Sequence, residues 1–273
     1  MVVYQGKESQ VWLSIVGVGI VALHLVLTWR LLGQTDQLVL NLLLWGAIAS
    51  LLWQRRSTLI LKSDRWATLI GLMLFTLLLC KSLSLFWFES AFVRVFPGLA
   101  TLGWALLASG FRLQQYGREF CIVFTLMLPQ GLLAEIMHQQ IGSYVQVWIA
   151  QIATFLLHYG GVDVVRHGVE VVLGQKAVAV EYACTGMPML ILLLQLSVVL
   201  LLVFPISLWK QVLLVVIAIV TAFSLSSIRV AVMALVVNHP STFDYWHGVQ
   251  GSQIFTTLAI GLFILSHHYF VES

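Results

Sequence analysis

Val180-Glu181-Tyr182-Ala183-Cys184-Thr185-Gly186-Met187-Pro188 separates two kinds of sequence. Before it lies a valine-rich, partly polar segment, and from Met189 a long apolar run begins. Cys184 therefore stands where an aqueous face meets a membrane helix. Thr185 reads as a helix N-cap, and Pro188 fits a helix only within its first turn. A cysteine just outside a helix N-terminus meets the positive end of the dipole and unpaired backbone N–H groups, which favour the thiolate. The N–H groups of Thr185 and Gly186 can receive an oxyanion. Cys184 is thus read as a nucleophile. The plain alternative is a small buried cysteine at a helix start, because free cysteine is among the most buried residue types.

The whole chain supports the membrane setting. Of its 273 residues, 60% are hydrophobic and 9% charged, with a mean hydropathy of +0.97. Soluble domains carry about 25% charged residues. The fold class is an all-α polytopic membrane protein. The net charge of +3 comes from basic residues in membrane-flanking loops and points to no nucleic-acid partner. The first apolar run is long enough to span and reads as a helix, not a removable signal. No two of Cys80, Cys121 and Cys184 form a C-x-x-C pair, which argues against disulfide chemistry. Cys80 and Cys121 read as packing residues. H-E-x-x-H, G-x-S-x-G and Walker A patterns are absent, so zinc protease, serine hydrolase and P-loop readings lack their usual residues.

A span needs about 20 mostly apolar residues. Eight runs qualify: Val11 to Leu32, Leu38 to Trp53, Trp66 to Phe88, Phe92 to Phe111, Phe120 to Ile136, Met187 to Phe204, Lys210 to Val237 and Gln253 to Phe270. Gly142 to Tyr159 is apolar but carries Gln146, Gln151 and His158, and is expected as an interfacial or re-entrant helix. A single integral-membrane domain, 1–273, is expected. It comprises five N-terminal spans over 11–136, an interfacial and cap segment over 142–186, and three C-terminal spans over 187–270. Val162 to Tyr182, valine-rich and broken by Gly168 and Gly174, reads as short strands forming a small extracytoplasmic cap. Its edge could accept an extended peptide.

Arg55, Arg56, Lys62 and Arg65 crowd one loop, which the positive-inside rule places in the cytoplasm. Counting from there puts Lys7, Arg112, Arg118 and Lys210 inside as well, and Cys184 and His247 outside. If Gly142 to Tyr159 crossed as an additional span, Lys210 would fall outside, and Cys184, Arg229 and His247 would share the cytoplasmic face instead.

Arg229 follows Lys210 by 19 residues, a rise of roughly 28 Å, close to the hydrocarbon thickness of about 30 Å. It therefore marks the outer boundary if Lys210 marks the inner one. An ionisable residue inside a span is a functional candidate, although a snorkelling arginine is the simpler reading. His247 lies in the loop Asn238 to Gly251, where a histidine suits acid–base work near neutral pH; an interfacial loop histidine is the alternative. Asp244 stands three residues before it. Glu135 and His138 form E-x-x-H without a second copy, so no metal is expected.

Glu181-x-x-Cys184-Thr185-Gly186, Arg229 near the outer end of the next-but-one span, and His247 before the last span together resemble the exosortase/archaeosortase family. Leu126 to Pro129, Gln151 and Gly160-Gly161-Val162 add to the likeness, which covers about Phe120 to Phe270. The resemblance implies a membrane-embedded cysteine protease and transpeptidase of the bacterial cytoplasmic membrane, with its site on the extracytoplasmic face and no cofactor. Its partners would be membrane lipid and exported proteins with a C-terminal sorting signal: a Pro-Glu-Pro-like motif, a transmembrane helix and a basic tail. It makes Cys184 the nucleophile, Arg229 the oxyanion stabiliser and His247 the acid/base. The family pattern has Cys-Ser-Gly; Cys-Thr-Gly-Met-Pro here suggests a subfamily, the cyanobacterial branch. The competing class is a transporter or channel without catalysis, against which stand the one-sided polar residues and the lack of an inverted repeat.

Overall fold

The computed structural model describes residues 5–32, 35–83, 90–128, 130–204 and 206–272. Two compact units divide the chain at residues 128 and 129. The first contains α1 (Gln5–Leu32), α2 (Thr35–Gln54), α3 (Arg65–Leu83), α4 (Ser90–Ser109), a 3-10 turn (Leu113–Tyr116) and α5 (Gly117–Met127). The second contains α6 (Gln130–Tyr159), strands β1 (Val165–His167), β2 (Glu170–Leu173) and β3 (Lys176–Ala179), a 3-10 turn (Tyr182–Cys184), α7 (Met187–Val203), α8 (Leu208–Leu235), α9 (Pro240–His247) and α10 (Val249–His267). Among the described residues seven helices are long and apolar enough to cross a membrane, and α7 is a shorter apolar helix.

Within the first unit, helices meet through small residues and internal hydrogen bonds, as membrane helices must. A methyl group at Gly71 of α3 would stand 3.0 Å from the Gly103 carbonyl of α4, so glycine lets these two backbones approach. Between α1 and α2, Trp45 Nε1 donates to His24 Nδ1 at 3.0 Å, and Asn41 Nδ2 donates to Thr28 Oγ1 at 3.1 Å. Cys80 and Cys121 lie on exposed faces, contrary to the expected packing role.

The second unit departs from the expected boundaries. The fifth span was expected to end at Ile136, with Gly142 to Tyr159 as a separate interfacial or re-entrant helix. Instead the chain leaves helix at Leu128 (φ −68, ψ 125), and α6 runs unbroken through Gly142. Leu128 precedes Pro129, and the residue before a proline is driven out of the helical region. Pro129 itself, like Phe88 at the expected end of the third span, lies outside the described residues. α5 is consequently 11 residues long, about 16 Å and too short to span. The crossing falls to Leu133–Tyr159 of α6. One helix replaces the pair of segments, so the count of eight apolar helices is unchanged.

The expected extended cap is a three-stranded antiparallel meander ordered β1-β2-β3. Both hairpins close with two residues, Gly168-Val169 and Gly174-Gln175. The glycines sit at φ +62 and +60, and among the described residues no other residue type has positive φ. That pattern matches the type II′ turn, whose twist suits strand hairpins. Val171, Val178 and Val180 are buried, and the sheet packs on α6 and α8.

Spin labels at Ile136 and Phe155, both exposed, should lie about 28 Å apart along one straight helix axis. Pulsed electron–electron distance measurement checks this; a shorter, broad distribution would show a break near Gly142.

Candidate functional site

α7 begins at a tight junction. Its N-cap is Gly186, in the left-handed region at φ +71, ψ 4. A methyl group there would overlap Ser226 Oγ of α8 and stand 3.2 Å from the Ala222 carbonyl. Glycine is thus demanded twice, by backbone sign and by close approach. Thr185, expected as the cap, sits one residue earlier, and its hydroxyl still accepts from the Met187 N–H at 3.5 Å. Its hydroxyl turns back to donate to the Tyr182 carbonyl at 2.7 Å, closing the 3-10 turn that carries Cys184. Pro188 lies in the first turn of α7, as expected.

The expected pair of oxyanion donors is split by this turn. The Thr185 N–H already donates to the Tyr182 carbonyl at 3.1 Å, and the Cys184 N–H to the Glu181 carbonyl at 2.9 Å. No described hydrogen bond occupies the Gly186 N–H.

Cys184 is a free thiol, 2% exposed. Burial raises its pKa above the ordinary value; the Arg229 charge and a backbone hydrogen bond at Glu181 oppose this, and the Glu181 charge adds to it. Burial is the largest of these, so the resting group is the protonated thiol. The helix dipole favours the thiolate, but the turn is enclosed by α6, α7 and α8, and burial outweighs it.

Arg229 projects from α8 and is 6% exposed. Its Nε donates to the Trp246 carbonyl at 3.2 Å and its Nη2 to the His247 carbonyl at 2.8 Å. These are the last two carbonyls of α9, which have no partner within that helix. A cation at a helix C-terminus also meets the negative end of its dipole. The snorkelling alternative does not describe this residue, because its guanidinium is turned into protein. Arg229 thus joins three elements: it sits on α8, it grips α9, and its charge acts on Cys184.

His247 is the last residue of α9. Its ring is exposed and stacks on Phe243, with centroids 5.6 Å apart and planes at 10°. Its tie to Arg229 runs through the backbone carbonyl. Asp244 is exposed, with no described contact to the ring. Glu181 is also exposed and enters only through its charge. Arg229 is thus close enough for its charge to act on Cys184, and its bond to the His247 carbonyl ties the end of α9 to the same helix.

Two supporting residues escaped the sequence argument. Gln146 of α6 donates through Nε2 to the Val180 carbonyl at 2.8 Å, anchoring the chain just before the cysteine turn. Its signal, an amide in an apolar helix, was visible but was read as a mark of the interface. His138 of α6 meets the Tyr182 ring edge-on, centroids 4.8 Å apart. Burial, then the Glu135 charge, raises the Tyr182 pKa. Of the E-x-x-H pair, His138 thus packs against the turn.

A family model described as transmembrane exosortase matches residues 29–264. No curated protein and no solved structure matches the chain.

The buried thiol makes a directional claim. Alkylation of Cys184 in the C80S/C121S background should be slower at neutral pH than for an ordinary exposed cysteine. Its rate should rise with pH through a midpoint above the usual thiol value, because only the thiolate reacts. Arg229→Gln removes an influence that lowers the pKa and should move the midpoint higher; Arg229→Lys should retain it. Rate against pH, read by mass spectrometry, decides. A midpoint below that of a free thiol would contradict the enclosure described.

Proposed function

Because the chain belongs to the transmembrane exosortase family, we propose that it is a membrane-embedded cysteine protease and transpeptidase acting on the C-terminal sorting signal of exported proteins. The observation that carries this reading is the coupling of Cys184 to the buried Arg229 at the head of α7. A thiol and a guanidinium enclosed together suit attack on a carbonyl and stabilisation of the resulting oxyanion.

Under this reading His247 takes the Cys184 proton as the sulfur attacks the scissile carbonyl. The charge that develops on the carbonyl oxygen faces Arg229 and the open Gly186 N–H. Collapse of the tetrahedral intermediate breaks the C–N bond, and the proton passes from His247 to the leaving amine. The acyl group, now a thioester on Cys184, moves to an acceptor amine or to water. A protonated resting thiol makes a general base necessary, which supports giving that task to His247, whose backbone is tied to Arg229.

The site belongs on the extracytoplasmic face of a bacterial cytoplasmic membrane. Lys210 and the Arg229 end of α8 supply the support: the basic residue marks one end and the site the other, about 28 Å away. The substrate would be a protein carrying a short Pro-Glu-Pro-like motif, an apolar helix and a basic tail. Cys-Thr-Gly-Met-Pro in place of Cys-Ser-Gly supports a cyanobacterial subfamily.

Cys184→Ala should abolish processing, a loss of at least about 10³-fold, and Arg229→Ala should cost roughly 10²–10³-fold. The check is the C-terminal mass of envelope proteins in cells carrying each variant at equal abundance. Unchanged masses with Cys184→Ala would falsify the nucleophile assignment.

A further inference from the structure

The three-stranded sheet has two edges, and they are treated differently. Strand β3 pairs with β2 through Leu173↔Lys176, Val172↔Ala177, Val171↔Val178 and Glu170↔Ala179. Leu173 and Lys176 close a two-residue hairpin, so Lys176 and Val178 turn their backbone groups toward β2. Ala177 and Ala179 then turn theirs outward. No described hydrogen bond reaches those outward groups.

Open edges invite pairing, and proteins usually blunt them with charge, proline or a bulge. The β1 edge follows that rule. Arg166 and His167 are exposed, and Arg166 Nη1 folds back to donate to the Gly168 carbonyl at 2.6 Å. The β3 edge carries exposed Ala177 and Ala179, the smallest side chains that still favour no turn. Its one charge, Lys176, reaches away to the Val237 carbonyl at 3.3 Å, beyond the end of α8.

The same strand leads rigidly into the cysteine turn. The Val180 N–H donates to the Val169 carbonyl at 3.0 Å. The Val180 carbonyl is held by Gln146, and the turn closes at Cys184. Cys184 follows Ala179 by five positions, a reach of at most about 18 Å. Donors and acceptors repeating every second residue, about 6.8 Å apart, are satisfied only by another extended backbone.

We propose that the β3 edge is the track on which the polypeptide to be cleaved is held: an extended segment beside the scissile bond adds as a fourth strand, hydrogen-bonded to the backbone of Ala177 and Ala179. The proposal rests on the reading of Cys184 as nucleophile and adds how that nucleophile's substrate is bound. Main-chain pairing supplies the affinity, and it requires the substrate to be extended and unfolded just outside its membrane helix.

Proline at an edge position removes an outward N–H without removing a ladder bond. The test replaces the native protein in cells with A177P/A179P, with R166P as the same change on the other edge, and with C184A. Envelope proteins are then read by C-terminal mass. Processing should fall about tenfold or more in A177P/A179P and stay unchanged in R166P. Unchanged processing in A177P/A179P overturns the track while leaving the nucleophile reading to C184A; continued processing in C184A overturns the nucleophile reading and not the track. A second measurement guards against a misfolded sheet. Benzoylphenylalanine is placed at residue 177 or 166 in the C184A background and photoactivated. Adducts with unprocessed proteins are expected from 177 and not from 166. No adduct from 177, or equal adducts from both, overturns the proposal.

Discussion

A guanidinium buried near the end of a membrane helix has to be answered by protein, because neither lipid nor bulk water is there to do it. Desolvating such an ion costs several kcal/mol. Hydrogen bonds from a charged donor return about 1.5–3 kcal/mol each, so the two carbonyls of Trp246 and His247 go far toward offsetting that cost. The carbonyls gain equally, since the end of an eight-residue helix leaves them unpartnered. The exchange fixes the geometry of the whole end of the second unit. α9 cannot swing away without costing Arg229 two charge-assisted hydrogen bonds, and Arg229 cannot turn outward without releasing α9. His247 and the charge acting on Cys184 are in this way positioned by a single side chain.

The thiol's environment is a contest that burial wins. The start of α7 and the Arg229 charge both favour the thiolate, and the enclosing helices favour the thiol. For the proposed chemistry this is a useful balance. A standing thiolate at the membrane boundary would be open to oxidation and stray electrophiles, since oxidation follows thiolate character and exposure. A protonated thiol beside a fixed cation is quiet until a base and a carbonyl arrive together.

Much of this was legible in the sequence, for identifiable reasons. Hydropathy marks spanning helices because backbone groups in lipid must be satisfied within the helix, and the eight apolar helices follow from that. Gly168 and Gly174 marked turns because positive φ is cheap only for glycine. Arg229 is visible as a charge in an apolar helix, Cys184 as a thiol at the head of one, and His247 as a histidine in a polar loop. Illegible were the features set by packing at a distance. Gly142 and the glutamines of α6 suggested an interrupted helix, yet Gln146 finds its partner 34 residues away at Val180. Thr185 has the chemistry of a cap, but the close approach of Ser226 places glycine at that point instead. The thiol's protonation follows from enclosure by three helices, which no local pattern encodes.

α7 is much shorter than the two helices that flank it. α7 has 17 residues and α8 has 28, about 26 Å against about 42 Å. Gly186, at the head of α7, meets α8 at Ser226, nine residues before α8 ends at Leu235, so α8 continues roughly 14 Å past it. α6 has 30 residues and is likewise far longer than α7. A chain that continues from the short helix beside longer ones must satisfy its own backbone groups near the lipid boundary. The two-hairpin sheet does so through its inner strand, paired on both sides, and it rests on α6 and α8. Each outer strand keeps one row of backbone groups facing out, and the β3 strand leads on into the cysteine turn.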